Sequence, residues 1–297
     1  MTTTLSGRTE AGPATPTTGG WTGRSRRSGW LVYLVLIFFA LLYIYPFLIQ
    51  IATSFKTDAD ATAHPLSLVP QNWTLDAFRA LAQVDFPRWF ANSVFVTVCV
   101  TVGRVFFDSL AGYALARLHF RGRAAVTGAI VAILAVPGVV LLIPKYLVLV
   151  RLGLYDNYGG MIIPLLADAA GVFIMRQFFI GIPAEIEEAA RVDGASIFRT
   201  FWSVVLPMAR PALITLTILS FQGSWNELPH FIVAAQSPGL NTLTKGTAVL
   251  VSGQLGSGAQ FPLKMAAAML MTIPVALVFF AFQRHFVRGA TAGAIKG

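Results

Sequence analysis

Long apolar runs alternate with short polar connections along this chain. The first run, Trp30 to Ile51, is long enough to cross a bilayer core of about 30 Å at about 1.5 Å per helical residue. Because backbone polar groups must be satisfied internally in lipid, such runs are predicted to be helices. Five further runs are long enough as well: Phe90 to Ala116, Val126 to Leu149, Tyr158 to Phe179, Ala212 to Ala235, and Pro262 to Phe282. The pattern predicts an all-α membrane protein with six transmembrane helices.

The segments outside these runs define the predicted domain organisation. Residues 1–29 are rich in Thr, Gly, Ser, Pro and Arg without apolar periodicity, which predicts a disordered tail. Residues 30–297 are predicted to form one six-span domain, whose longer polar segments are 52–89, 181–211 and 236–261.

Composition supports membrane insertion and argues against nucleic-acid binding. The 297 residues are 56% hydrophobic and 12% charged, whereas soluble domains carry about 25% charged residues. A net charge of +9 would suit a nucleic-acid partner, but the basic residues flank apolar spans and form no cluster interleaved with aromatics. The charge is therefore attributed to membrane topology.

The distribution of Lys and Arg predicts the orientation. With six spans, both termini and the loops at 117–125 and 180–211 lie on one side, which holds nearly twice as many basic residues as the other. By the positive-inside rule this side is cytoplasmic. Its basic residues are Arg8, Arg24, Arg26, Arg27, Arg117, Arg121, Arg123, Arg191, Arg199, Arg210, Arg284, Arg288 and Lys296; the other side has Lys56, Arg79, Arg88, Lys145, Arg151, Lys245 and Lys264.

Several kinds of chemistry have no signal in the sequence. Cys99 is the single cysteine, and the four histidines are too far apart along the chain to suggest a metal site. There is no GxxxxGK[ST] phosphate loop, HExxH or paired-aspartate motif. We expect no enzymatic activity, metal or cofactor in this chain, so that ATP and Mg²⁺ would have to be bound by another protein.

The loop at 181–211 is an acidic, polar interruption between two spans. Pro183 suits the first turn of a helix, and Glu185, Glu187 and Glu188 would lie near its positive N-terminal end. Gly194 can end that helix with a positive φ. An amphipathic stretch from Ile197 to Val205 follows. The pattern predicts two short helices that meet at a bend parallel to the membrane, either resting on lipid headgroups or docking on a partner.

The spacing within this loop resembles the EAA loop of ABC-importer permeases. Glu188-Ala189-Ala190 is followed after three residues by Gly194, and after nine more by Val204 and then Leu206-Pro207. The family usually has isoleucine where Val204 stands. Other stretches resemble its carbohydrate branch, which includes the smaller maltose-importer permease: NSVFVTV (92–98), AGYALARLHFRGR (111–123), RLGLYDNYGGMIIP (151–164), RQFF (176–179), SFQGSWNEL (220–228) and the C-terminal QRHFVRGATAGAIKG.

The resemblance implies a permease that moves a sugar inward by alternating access without chemistry of its own. Its partners would be a second homologous permease, a homodimeric cytoplasmic ATPase, an extracytoplasmic solute-binding protein and membrane lipid. The loop would dock in the ATPase, and the C-terminal residues Gly293, Lys296 and Gly297 would also contact it. The external segment at 236–261 would probe the binding protein. The implied coupling residues are Glu185, Glu187, Glu188, Ala189, Ala190, Asp193, Gly194, Leu206 and Pro207.

Polar residues inside the spans are candidates for the substrate pathway or for structural pairs. Arg104 and Asp108 are four residues apart on one helical face, and we predict a structural ion pair. Side chains that accept hydrogen bonds from hydroxyl groups, together with an aromatic face, suit the recognition of a sugar. Hydrogen bonds to neighbouring helices would explain the same polar residues equally well. The pathway candidates are Asp168, Trp225, Asn226 and Glu227.

Two other transporter classes remain open. An ABC permease for another solute, such as a polyamine, would carry the same loop. A secondary transporter could use Asp108, Asp168 or Glu227, but the chain shows no repeated pair of broken segments, and the acidic loop would be unexplained.

Overall fold

The protein is helical throughout the part of the chain that the structure describes. This computed structural model describes the backbone of residues 27–252 and 260–294, and the side chains of 30–252 and 260–283. The helices are α1 (Arg27–Ser54), α2 (Asp58–Ala63), α3 (Asp76–Gln83), α4 (Phe86–Arg117), α5 (Arg123–Leu134), α6 (Leu142–Arg151), α7 (Tyr158–Ile162), α8 (Ala169–Ile180), α9 (Ala184–Val192), α10 (Ile197–Thr200), α11 (Leu206–Met208), α12 (Arg210–Trp225), α13 (Pro229–Ala234), α14 (Leu243–Val251) and α15 (Phe261–Ala294).

The chain divides into two compact units, residues 1–47 and 48–297. In the first unit, α1 is an apolar helix whose residues from Trp30 to Phe47 are all exposed. A helix that is apolar on every side suits a lipid environment. The predicted tail, apart from its last three residues, lies outside the described residues.

Within the described residues, between four and six segments are long and apolar enough to cross a membrane. Four helical segments are long and apolar enough: Trp30–Ser54, Phe86–Arg117, Tyr158–Ile180 and Phe261–Gln283. Two bent pairs reach the same standard together, Arg123–Leu134 with Gly138–Arg151, and Ile197–Met208 with Arg210–Trp225. The all-α membrane class is therefore confirmed, and the count reaches six if each bent pair is one span.

Three of the predicted spans are broken helices. The third bends by 104° before Gly138, where Pro137 cannot donate a helical hydrogen bond. The fourth is interrupted between the turn at Ile163–Leu165 and the start of α8 at Ala169. The fifth ends at Trp225, and α13 begins only at Pro229. Apolar length signals a crossing segment but does not reveal where proline and capping residues break it.

Close packing of α4 against α8 organises the second unit. A Cβ at Gly112 would lie 2.7 Å from Cβ of Met175, and a Cβ at Gly171 would collide with the Asp108 carboxylate. Small residues allow two helix backbones to approach in this way. The same packing places the end of α4 at Arg117 beside the loop that follows α8, because Arg117 donates to the Ile182 carbonyl.

Candidate functional site

The loop at 181–211 bends at Gly194, as predicted. Helix α9 ends at Val192, and Gly194 has a φ of +78°, a value that favours glycine. The Ala195 amide donates to the Ala190 carbonyl at 2.9 Å, which closes the end of the helix. Ser196 then caps α10, because its hydroxyl accepts from the Arg199 amide at 3.3 Å. The helix end at Val192, the turn at Gly194 and the cap at Ser196 together hold α9 and α10 at an angle.

The second half of the loop continues into one π-helical turn, Phe201–Val205, and then α11. The segment Ile197–Met208 makes an angle of 82° with the span Arg210–Trp225. Phe201 and Val205 are buried, whereas Ile197 and Phe198 are exposed. The predicted amphipathic stretch is therefore real, and it runs nearly perpendicular to the span, as a segment parallel to the membrane would.

An exposed apolar edge lies on both sides of the bend. We call it the loop edge and define it as Val192, Ile197, Phe198 and Trp202, with exposed fractions of 88%, 57%, 64% and 50%. The rings of Phe198 and Trp202 stack, with centroids 6.4 Å apart and planes within 8°. Clustered exposed apolar side chains mark sites of interaction with another surface.

Most of the predicted coupling residues share this exposed face. Glu185, Glu188, Ala189, Asp193 and Pro207 are exposed, while Ala190 and Leu206 are partly buried.

Glu187 differs from its neighbours and corrects the prediction. Its residue exposure is 3%, so it cannot contact an ATPase directly in this arrangement. Its Oε1 lies 2.8 Å from Nε of Arg117, and its Oε2 accepts from the Tyr113 hydroxyl at 3.1 Å. Glu187 therefore binds the loop to the end of α4 and does not belong to the outer surface.

Tyr113 and Arg117 are partners of the loop that the sequence pattern does not predict. From the sequence, Arg117 contributes to the topology prediction, and both residues lie in the stretch 111–123 that resembles the carbohydrate branch. A signal was present: Glu187 is next to Ile186 and three residues before Ala190, so it falls on the inward face of α9. An acidic residue on the packed face of an amphipathic helix requires a basic or hydrogen-bonding partner.

The C-terminal contact residues are largely beyond the described part of the chain. Gly293 lies in the last turn of α15. Lys296 and Gly297 lie outside the described residues, as do Gly253, Gly256 and Gly258 of the external segment.

The predicted ion pair between Arg104 and Asp108 is wrong. Within the described side chains, no salt bridge of 4.0 Å or less joins them. Nε of Arg104 donates to the Leu165 carbonyl at 2.8 Å, and Oδ1 of Asp108 accepts from the Asp168 amide at 2.9 Å. Both side chains instead satisfy the backbone of the break before α8, which sequence spacing on one helix cannot reveal.

The four pathway candidates do not form one open cluster. Asp168 caps α8, where its carboxylate accepts from the Gly171 amide at 3.2 Å. Trp225 is 2% exposed and donates to the Met271 carbonyl at 3.1 Å, so it belongs to the packed core and offers no sugar platform here. Glu227 accepts from the His230 amide at 2.8 Å. Asn226 is exposed.

Hydrogen bonds join the segments at the predicted external end. Buried Asn92 donates to the carbonyls of Gly239 and Asn241, each at 2.9 Å, and accepts from the Tyr158 hydroxyl at 2.7 Å. The neighbouring Ser93 hydroxyl accepts from the Leu243 amide at 2.7 Å. These bonds connect α4, α7 and the segment before α14.

The carboxylate of half-buried Asp156 forms a second attachment at this end. Asp156 accepts from the amides of Gln236 and Ser237, both at 2.8 Å, and from the Ser237 hydroxyl at 2.5 Å. The Ser237 hydroxyl bond is the largest cause that lowers the pKa of Asp156, followed by the two amides. Burial lowers the pKa of Lys245, which donates to the Ala235 carbonyl. Among the described residues, no group of three or more His, Cys, Asp or Glu could hold a metal ion.

Comparison with known proteins identifies the family. The profile described as "Binding-protein-dependent transport system inner membrane component" matches residues 108–291. The chain belongs to this family. The permease is 33% identical to the polygalacturonan/rhamnogalacturonan transport system permease protein YtcP of Bacillus subtilis over 92% of this chain and 100% of that protein. It is 30% identical to the arabinooligosaccharides transport system permease protein AraQ of Halalkalibacterium halodurans, over 90% of this chain and 96% of that protein.

A solved structure shares the fold. The permease matches a chain of a bacterial ABC transporter involved in the import of the acidic polysaccharide alginate, with a TM-score of 0.77 and 28% identity. The match covers 90% of this permease and 99% of that chain. The ABC-importer permease fold is therefore confirmed.

Family membership settles the transporter class. The protein is the inner-membrane permease component of a binding-protein-dependent ABC transporter, and it is not itself an ATPase. An ATPase and a solute-binding protein are its working partners. The secondary-transporter alternative is excluded.

Proposed function

We propose that this permease imports a sugar or oligosaccharide into the cytoplasm, driven by ATP hydrolysis in a partner ATPase. The observation that carries the solute class is full-length similarity to permeases named for arabinooligosaccharides and for polygalacturonan and rhamnogalacturonan. These solutes are all carbohydrates. A polyamine, the other solute considered, has no comparable support.

The loop at 181–211 is the proposed docking surface for the ATPase. The loop edge is apolar and exposed, and exposed Glu185, Glu188 and Asp193 surround it. An apolar centre with a charged rim is the composition of a helix that lies in a partner's groove. ATP and Mg²⁺ bind to that partner, which is proposed to be a homodimer, and the C-terminal residues Gly293, Lys296 and Gly297 form a second contact.

The remaining assembly follows from the same proposal. The chain pairs with a second, homologous permease, and both termini are cytoplasmic because the basic residues favour that side. The external segment at 236–261 faces the solute-binding protein. Asp168, Asn226 and Glu227 remain candidates for the pathway, since Asn226 is exposed and the two carboxylates are only partly buried.

Uptake by the reconstituted complex tests this function. The permease, the second permease, the ATPase and the binding protein are assembled in proteoliposomes with internal ATP, and uptake of labelled arabinooligosaccharides is compared with uptake of labelled spermidine. We expect ATP-dependent sugar uptake that a protonophore does not abolish. Spermidine uptake without sugar uptake would contradict the solute class, and protonophore-sensitive uptake at constant ATP would contradict the energy source.

A further inference from the structure

On the inward side of the loop, Glu187 contacts Tyr113 and Arg117 of α4. We call these three residues the joint, and they are distinct from the outer surface of the loop. Within α9, Glu187 is the one buried residue; Ile186 and Ala190 beside it are partly buried, and the opposite face is exposed. Its carboxylate reaches Tyr113 and Arg117, which lie four residues apart on the same face of α4. An ion pair removed from water is held in a defined geometry, since each partner pays a desolvation cost if the other leaves.

The joint binds more than one point of the loop to α4. Arg117 also donates to the Ile182 carbonyl, just before α9 begins. Tyr113 packs on Phe201 from the second half of the loop, with ring centroids 5.0 Å apart, and on Phe179 of α8 at 5.8 Å. Tyr113 thus contacts both arms of the bend and the helix that precedes them.

The bend itself lacks such support. A Cβ at Gly194 would meet no heavy atom within 4 Å, and the hydrogen bonds at the bend, such as that from the Ala195 amide to the Ala190 carbonyl, are local bonds within the loop. A displacement applied to the loop edge would be lost in this bend if α9 were free to swing. The contacts of Glu187 and Ile182 prevent that swing by tying α9 to the end of the span.

We propose that Glu187, Arg117 and Tyr113 are positioning residues that make α9 and α4 move as one body, so that motion of the docked loop reaches the span. The proposal rests on the proposed docking of the ATPase. In this proposal the joint transmits motion from the loop to the span, and the loop edge binds the ATPase. Loss of the joint should therefore uncouple ATP hydrolysis from transport without releasing the ATPase.

Spin-label distances test the joint without a solute. In a Cys99→Ser background, labels at the exposed positions Ala184 on α9 and Val98 on α4 report the distance between the two helices, measured in the complete complex without nucleotide and after trapping with ATP and vanadate. We expect the same narrow distance in both states. In Glu187→Gln the distance should broaden or shift on trapping. An unchanged, narrow distance in Glu187→Gln would overturn the proposal.

The ratio of solute transported to ATP hydrolysed gives the functional readout. With labelled arabinooligosaccharides as the probe, we expect Glu187→Gln and Arg117→Gln to lower this ratio about tenfold, within the usual range for coupled sites. Arg121→Gln is the matched control, because Arg121 lies in the same cytoplasmic segment and is exposed. The exchanged pair Arg117→Glu with Glu187→Arg should recover part of the loss.

The outcomes separate transmission from docking. Loss of ATPase co-purification in the joint variants, or an unchanged transport ratio, would overturn the inference. If the charge variants fail to reach the membrane, Tyr113→Phe decides, since it removes one hydroxyl and should lower the ratio about fivefold, at the weak end of such coupling. A wild-type complex that takes up no sugar would contradict the proposed solute. The spin-label distances need no solute, so they would still test whether the joint holds α9 and α4 together.

Discussion

The two ends of α4 are attached to the rest of the permease in different ways. At the predicted external end, Asn92 and Ser93 bind mainly backbone groups of two other segments. At the predicted cytoplasmic end, Arg117 and Tyr113 bind one carboxylate on a loop whose opposite face is exposed. The external attachment uses neutral groups, whereas the cytoplasmic attachment centres on a buried ion pair, with the Arg117 bond to the Ile182 carbonyl and the ring contacts of Tyr113 beside it.

The difference separates a static attachment from a movable one. At the external end, the bonds of Asn92 and Ser93 attach α4 to two other segments at several points, so that a displacement of one segment would have to break several hydrogen bonds. The joint holds α9 toward α4 through one carboxylate, and apart from partly buried Ile186 and Ala190 the rest of α9 is exposed. An element of that kind can be displaced as a unit by a partner that grips its outer face.

The largest expected effect comes from Gly194→Pro. Proline requires a φ near −65°, which is incompatible with the +78° of the bend, so the two arms of the loop should lose their angle. We expect loss of ATPase co-purification and of uptake, with membrane insertion retained. Gly194→Asn is the control, because asparagine tolerates a positive φ. Normal ATPase yield and uptake in Gly194→Pro would contradict the docking role of the bend.

Two adjacent glutamates should give opposite results. Glu187→Ala leaves Arg117 without its partner, and we expect a loss of about 3 kcal/mol in the free energy of unfolding. Glu188→Lys changes an exposed residue, so stability should change by less than about 0.5 kcal/mol while the ATPase is released. Thermal unfolding in detergent and co-purification measure the two effects. Equal destabilisation by both changes would remove the distinction between inner joint and outer surface.

At the external end, Asn92→Ala should cost less than the loss of Glu187. The carbonyls of Gly239 and Asn241 and the Tyr158 hydroxyl lose a neutral partner, and we expect about 2 kcal/mol of destabilisation. Asn72→Ala, at an exposed position, is the control and should be nearly neutral. ATPase co-purification should remain unchanged in both. Release of the ATPase by Asn92→Ala would mean that the two ends do not act separately.

The smallest effect concerns Asp156 and acid. Because its pKa is lowered below 3.8, its stabilising bonds are present above that pH and are lost as pH falls through the lower folded value. Amide hydrogen exchange at Ser237 should therefore show protection that disappears on acidification. Asp156→Asn should weaken this protection and remove its pH dependence, while Asp85→Asn, at an exposed position without a capping bond, should not. Protection that persists unchanged in acid would contradict the dependence of these hydrogen bonds on the charge of the Asp156 carboxylate.

The sequence predicted the parts of the fold that depend on local properties. Apolar length located the crossing segments, and Gly194 marked the bend because positive φ is a property of one residue. Prolines in these spans indicate where a helix can kink, but the exact breaks before α8 and after α12 depend on neighbouring helices, because Asp168 and Pro229 act as helix starts only once those helices satisfy the freed groups. Arg104 was paired with Asp108 by spacing, but partners from a distant segment are closer. The inward role of Glu187 depends equally on α4, which lies about seventy residues away in the chain.

Site-directed crosslinking tests the docking of the loop most directly. In the Cys99→Ser background, a cysteine at Phe198 on the loop edge carries a short crosslinker in the assembled complex, and Gln236→Cys at the external end is the control. The account predicts that Phe198→Cys captures the ATPase and that Gln236→Cys does not. Failure of Phe198→Cys to capture the ATPase in a complex that hydrolyses ATP and transports solute would contradict it.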